Sequence, residues 1–553
     1  MNTYKLTKNR ITFNFRYNKD IIKDIKLLFN DIKFDSTSKL WHCPNNQFNI
    51  DRLEYMSNMY NFIEEGHEAD KYPWEELKKI SLVNQEQIDF VRMAVDNFGF
   101  NMKPRDYQVY GVTAMLDTKC CLNGDDMGLG KTGQAIVSIE IGELKPAIVI
   151  TPASVKYNWE KEWNKWVDNP NISIIDSKNK NFNAEIVIIN YDILKKHITE
   201  LKKISWKSMT LDESQFIKNS KSQRSTAVRH LAKKIEYKFL LSGTAIMNRI
   251  EEIQHPLKIL GYFDTEFGGW KKFIFRYCDA HYGGFGLDTS GASNVLELNH
   301  KLRNLCYIRR EKSDVLKDMP NRVDQKVEVP FTRRRDILSA AEDIVTYTLR
   351  QKGVEAAERA ERAIPLVTST TLKEINIDGK LKGIKNWIKD YTESTNDKLL
   401  IFGCSSKSLN ILSQDFKSPI VDGSVSSKNK FNIVQEFMKS DIQLLFGNIQ
   451  SLGTGVDGLQ EVCSHVLFID LPDVPTLIEQ AVARLHRSGQ KKSVNVYYAM
   501  SNGGICDIMW DVLSEKYEVT EALNKGDSSR MLESKQSRDM NTQIYNRIRN
   551  GEF

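Results

Sequence analysis

The run Asp125-Asp126-Met127-Gly128-Leu129-Gly130-Lys131-Thr132 sets the chemistry of this chain. Two glycines let a backbone turn its N–H groups inward, where they and the start of a following helix attract anions. Gly128 and Gly130 would form such a cradle, Lys131 would neutralise terminal phosphates, and Thr132 would offer its hydroxyl to Mg²⁺. A loop of this type normally opens with glycine six residues before the lysine. Here Asp125 holds that place, and Gly124 comes one residue early.

Asp212-Glu213 supplies the carboxylates that phosphoryl chemistry needs. Asp212 is placed to hold Mg²⁺, and Glu213 to orient and deprotonate an attacking water. An Asp-Glu pair after an apolar run is otherwise only the solvated start of a loop. Arg484 and Arg487 stand three apart, so on a helix they share a face and can point together at transition-state charge. The plainer reading is an exposed salt-bridging face. Gln108, ahead of the glycine loop, carries an amide that can both donate to and accept from an adenine edge.

Positioning these groups takes parallel strands. A strand ending near Leu122 enters the loop and a helical pattern from Gln134 to Ile139 leaves it. Short apolar runs at Pro146–Thr151 and Ile186–Asn190, one ending at Leu211, and Phe239–Thr244 alternate with helical stretches. That alternation predicts a doubly wound parallel sheet with ligands at the strands' carboxyl ends, where Lys131, Asp212 and Thr244 all fall. A second α/β pattern runs through Lys398–Phe402, Pro419–Val421, Leu444–Phe446, Val466–Ile469 and Val494–Tyr498, without a phosphate loop. The fold class is therefore α/β: two RecA-like doubly wound lobes, a small N-terminal α+β module and helical insertions.

The expected divisions are a strand, helix and hairpin module at 1–45, a helical connector at 46–98, and lobe 1 at 99–264. A bridge and helical insertion at 265–396, lobe 2 at 397–515 and a polar tail at 516–553 follow. The bridge is too irregular for another sheet layer, and Glu355–Ala363 reads as part of a protruding solvated helix. In the first module Lys19, Lys23, Lys26, Lys33 and Lys39 with Phe15, Tyr17 and Trp41 are suited to phosphate and base contacts, or to a small core with a solvated basic face.

Bulk properties set wide bounds. The 553 residues carry a net charge of +6, which allows a polyanionic partner without requiring one. Eight scattered cysteines lack metal-ligand spacing, so reduced thiols and no structural zinc are expected. No apolar run approaches the roughly 20 residues of a membrane span. An intracellular, soluble protein without a membrane partner is the expectation.

Taken in order over residues 100 to 515, these stretches resemble the Swi/Snf-type ATPases of helicase superfamily two. Gln108 matches the Q-type motif, Asp125–Thr132 motif I, Ile148–Trp159 motif Ia and Asp212–Gln215 motif II. Leu241–Arg249 matches motif III, Gly453–Asp457 motif V and Gln480–Gln490 motif VI. Asp125 is normal in that family. Within it the chain is similar to the HARP-type annealing helicases, through Arg276–Ala280, Asp288–Asn294 and Arg309–Leu316, and residues 11–44 resemble a single HARP domain. The resemblance implies ATP and Mg²⁺ as cofactors, with Gln108, Asp125, Gly128, Gly130, Lys131, Thr132 and Gln490 at the nucleotide. It implies Glu213, Asp212, Lys131, Arg484 and Arg487 in catalysis, with Thr132 and Asp212 on the metal.

The implied function is a DNA-dependent ATPase that translocates on duplex or branched DNA, with a single-strand contact, and remodels or re-anneals it. Gln215 stands where motif II commonly has His and Ala245 where motif III commonly has Pro, changes that bear on coupling of hydrolysis to movement. Motif V is poorer in Gly and lacks the usual Asn. Rival readings are a motor subunit of a nuclease or restriction system, which needs a separate carboxylate cluster, a nucleotide-switched DNA-binding module, and an RNA-directed helicase.

Overall fold

The computed structural model describes residues 2–7, 9–36, 38–60, 62–64, 81–243, 249–283, 286–289, 291–342, 344, 364–453, 458–525 and 547. Thr244, Ala245, motif V beyond Gly453, the Glu355–Ala363 stretch and most of the polar tail lie outside these residues.

Alternating residues build the first sheet. In β2 (Arg10–Asn14), next to β1 (Asn2–Leu6), Ile11 and Phe13 face inward and are fully buried. The helix Lys19–Leu28 brings Ile21 and Ile25 to the same core. Asn18 starts it by accepting from the N–H groups of Asp20 and Ile21 at 2.9 and 3.1 Å. The hairpin of β3 (Lys33–Asp35) and β4 (Leu40–Pro44) follows, as the sequence predicts. The segment expected to be purely helical differs: it contains β5 (Phe62–Glu64), which pairs in parallel with β1 to give the order β3-β4-β2-β1-β5. Three residues are too few for periodicity to reveal. Phe15, offered above as a base contact, instead packs edge-on against Phe62 at 5.6 Å.

Lobe 1 is a seven-stranded parallel sheet. β6 (Cys120–Asn123), β7 (Ala147–Thr151), β8 (Ile172–Ile174), β9 (Ile186–Asn190), β10 (Ser208–Asp212) and β11 (Tyr237–Leu241) supply six strands. After the small hairpin of β12 (His281–Gly283) and β13 (Gly286–Asp288), β14 (Tyr307–Ile308) supplies the seventh, in the order β14-β6-β11-β10-β7-β9-β8. Uninterrupted apolar strands such as β7 and β9 are buried at every position, as a sheet covered on both faces requires. Register aligns Asn123 with Leu241 and Leu241 with Asp212, so the loops that follow these three strands open at one edge. The bridge, too irregular in sequence for another sheet layer, contributes a strand to this one: β14 returns beside the strand that enters the glycine loop.

Lobe 2 begins within the bridge as well. β15 (Arg322–Glu328) joins β16 (Lys398–Gly403), β17 (Ile420–Val421), β18 (Leu444–Asn448), β19 (Cys463–Phe468) and β20 (Val494–Met500) in the parallel order β15-β20-β19-β16-β18-β17. Between β15 and β16 lie the helices Arg334–Glu342 and Ile364–Ser394. Among the described residues no helix is long and apolar enough to cross a membrane.

Candidate nucleotide site at the lobe interface

The glycine loop joins β6 to the helix Lys131–Ile141. Gly130 caps that helix at φ +74°, and a Cβ there would lie 2.3 Å from Nε2 of Gln108. Gln108 donates to the Leu129 carbonyl at 3.2 Å and accepts from the Arg105 N–H at 2.9 Å. It thus sits against the glycine loop. Gly128, at φ +87°, permits a close approach from lobe 2: a Cβ there would be 2.9 Å from Cβ of Arg487.

Lys131 donates to the carbonyls of Asp125 and Asp126 at 2.6 and 3.2 Å. Burial pushes its ammonium down, against the attraction of Asp125 and Glu213. The Asp125 carboxylate does not face the cradle. It is fully buried, receives the Nε of Arg310 at 2.9 Å and Nε2 of Gln134 at 3.0 Å, and so locks the loop from behind. Asp125, grouped above with the nucleotide-binding residues, thus meets Lys131 through its backbone carbonyl while its side chain braces the loop.

Asp212 ends β10 in register with its neighbours. Its Oδ2 accepts from the Trp159 indole at 2.7 Å and from the Thr151 hydroxyl at 3.2 Å. Tyr191 donates to its backbone carbonyl at 2.8 Å. Burial, and then the charge of Glu213, push the Asp212 carboxyl up to about 6. Glu213 adopts the left-handed conformation, φ 49° and ψ 56°, which turns its side chain away from the strand direction. It accepts from Gln215 at 2.6 Å, and Gln215 in turn accepts from the Ser242 hydroxyl at 2.7 Å. The unusual Gln215 therefore links motif II to the start of motif III.

From lobe 2 the sequence expects two arginines on one helical face. The helix Pro475–Val482 stops before either, and the chain turns through Arg484 to Arg487. Arg484 donates to the Gly453 carbonyl within its own lobe at 2.9 Å, whereas the backbone and Cβ of Arg487 lie against Gly128 of the glycine loop. Gln490, assigned above to the nucleotide, spends its amide on this turn: it donates to Cys463 and Leu485 carbonyls at 2.9 and 3.3 Å and accepts from the N–H groups of Lys491 and Lys492.

The bridge adds groups that spacing did not reveal. Arg309 donates to the Gly124 carbonyl at 2.7 Å and pairs with Asp126 at 2.6 Å, while the Arg310 carbonyl accepts from the Asp126 N–H at 3.0 Å. The run Arg309-Arg310-Glu311-Lys312 was legible only as a family resemblance.

The donor set suits a nucleoside triphosphate with Mg²⁺. It offers a glycine cradle, the Lys131 ammonium, a helix N-terminus, and the adjacent carboxylates of Asp212 and Glu213, whose paired negative charge favours a cation. Among the described residues there is no separate cluster of three or more His, Cys, Asp or Glu that could hold a metal.

The model of the SNF2-related domain matches residues 47–375, and that of the helicase conserved C-terminal domain matches 379–489. The chain is 30% identical over 471 residues to the human "DNA annealing helicase and endonuclease ZRANB3", covering 81% of this chain and 42% of that protein. It is 30% identical over 468 residues to the Xenopus laevis "SWI/SNF-related matrix-associated actin-dependent regulator of chromatin subfamily A-like protein 1", covering 81% and 46%. It thus spans less than half the length of either. A solved Sulfolobus solfataricus SWI2/SNF2 ATPase core in complex with dsDNA aligns over 79% of this chain and 96% of its own, at 23% identity and a TM-score of 0.38. With the family model covering more than half its length and both lobes built as described, the chain belongs to the SNF2-related family of helicase-like proteins.

Proposed function

We propose that the chain is an ATP-hydrolysing motor that translocates on duplex or branched DNA. The observation that carries this reading is the convergence at one edge: Lys131, the Asp212-Glu213 pair within its electrostatic reach, and Arg487 from the other lobe against Gly128.

Gly128, Gly130 and the helix N-terminus bind the phosphates, and Lys131 leaves its carbonyl partners for the β/γ-oxygens. Thr132 and Asp212 would hold Mg²⁺, which when bound neutralises phosphate charge. Trp159 and Thr151 orient Asp212. Glu213 takes the proton of the attacking water, steadied by Gln215. Arg487 stabilises the charge that develops on the transferred phosphoryl group. Because Arg487 belongs to lobe 2, the site is complete only with the lobes together, which ties their movement to turnover.

DNA as partner follows from the family and the relatives' names. In the N-terminal module Phe34 and Trp41 lie 5.2 Å apart with the Lys26 ammonium over the indole, an arrangement suited to stacking an unpaired base. Remodelling or re-annealing of branched DNA is the proposed outcome. The test is displacement of a third strand from a triplex: ATP-dependent release supports translocation, and release equal with and without ATP overturns it.

A further inference from the structure

The bridge reaches both halves of the site at one residue. The Lys312 N–H donates to Oδ2 of Asp126 in the glycine loop at 3.0 Å, and its ammonium donates to the His486 carbonyl at 2.8 Å, one residue before Arg487. Its Cε would lie 3.7 Å from a Cβ on Gly128, the same glycine that Arg487 approaches. The turn it grips is held from two further sides. Arg105 donates to the Ser488 hydroxyl at 2.9 Å, and an imidazole nitrogen of His486 lies 2.9 Å from the Pro320 carbonyl. Arg322 pairs with Glu479 on the helix that leads into the turn, at 2.8 Å.

We infer that Lys312 is a positioning residue that sets Arg487 over the phosphate cradle by holding the His486 carbonyl at a fixed distance from Asp126. The inference rests on the reading of Arg487 as the group that meets the phosphoryl transition state. Three physical points support it. The ammonium is half-buried at a lobe interface, where a charged donor to a carbonyl is stronger than at an open surface. Each lobe sets one attracting and one repelling charge near it, Asp126 and Lys131 from lobe 1 and Glu479 and Arg322 from lobe 2, so its energy depends on how the lobes stand. Its backbone is stitched to the loop, so the side chain is a short arm of fixed length from cradle to turn. A misplacement of a catalytic group by about 1 Å is enough to lower turnover on the order of 100-fold.

The experiment compares wild type, Lys312→Met, Lys312→Arg, Arg487→Ala and the double variant Lys312→Met/Arg487→Ala, measuring kcat and KM for ATP at saturating duplex DNA, with thermal melting. Methionine keeps the stem as far as Cε and removes the ammonium that meets the His486 carbonyl, and the melting measurement shows that the variant is folded. The expected result for Lys312→Met is a kcat lowered at least about 10-fold with KM within about 3-fold of wild type. Lys312→Arg recovers a substantial part of it. The double variant turns over no more slowly than Arg487→Ala alone, because Lys312 acts through that arginine. Losses that multiply in the double variant, or an unimpaired Lys312→Met beside an impaired Arg487→Ala, overturn the positioning role alone. Wild-type turnover in Arg487→Ala overturns the reading of Arg487 and this inference with it.

Discussion

The Trp159 indole donates to Oδ2 of Asp212 at 2.7 Å, joining the helix Lys156–Trp166 to the carboxylate at the end of β10. Both residues are held firmly, since Trp159 is 1% exposed and Asp212 is anchored in the sheet register. With the Glu213 N–H donating to Oδ1 at 3.0 Å, the indole fixes the orientation of the carboxylate from the Oδ2 side. Trp159→Phe removes the donor and leaves a small gap in the core, so Mg²⁺ affinity or turnover should fall about 10- to 100-fold beside a modest drop in melting temperature. Isothermal titration with Mg²⁺ and nucleotide checks this; unchanged affinity and turnover would reduce Trp159 to a core residue.

Glu213→Gln should bind ATP and hardly turn it over, with kcat reduced by about 10²-fold or more, because the amide cannot accept the water's proton. Nucleotide affinity is measured beside turnover. Normal turnover would remove Glu213 from the base role.

Arg487→Ala should depress kcat by about 10³-fold while leaving ATP affinity nearly intact, as expected of a group that acts on transition-state charge. Arg484→Ala should behave differently. Its Nε donates to the Gly453 carbonyl, so the variant should lower melting temperature as well as activity. Equal losses of affinity and kcat in Arg487→Ala would point to a structural role instead.

The Asp212 carboxyl, pushed up to about 6 from an ordinary value near 3.8, gives a pH prediction. A carboxyl raised in the folded state binds its proton more tightly there than in the unfolded chain, so ionising it costs stability above about pH 6 and that cost fades as pH falls toward 3.8. Without Mg²⁺, Asp212→Asn should therefore melt higher than wild type at pH 7.5, with the gap closing toward pH 5. Mg²⁺ should stabilise wild type at pH 7.5 more than at pH 5.5, and Asp212→Asn at neither. A variant that melts no higher at pH 7.5 would show that Asp212 is not strained by its burial.

Sequence reading succeeded where periodicity or motif chemistry left a mark. The uninterrupted apolar runs of β7 and β9, the alternation of β2, and the Gly128–Thr132 loop all stand where residue types place them. It failed where tertiary contact decides. β14 is two residues long, and β15 reads Arg-Val-Asp-Gln-Lys-Val-Glu, polar because it is an edge strand, so neither shows an inward face. Arg484 and Arg487 were placed by helical spacing, but the helix ends at Val482 and the turn beyond it is shaped by Gln490 and by Gly489 at φ +96°. The aspartate at 125 was legible as a departure, yet its partner Arg310 lies 185 residues away, beyond the reach of local pattern.

The central claim is that nucleic acid governs turnover at this site, and the steady-state ATPase rate tests it most directly. It is measured at fixed salt without nucleic acid, and with single-stranded, duplex and forked DNA and RNA, because phosphate contacts make binding salt-sensitive. The account predicts strong stimulation by duplex or forked DNA and little by RNA. A rate that no nucleic acid changes would contradict it and leave a nucleotide-switched or partner-dependent role in its place.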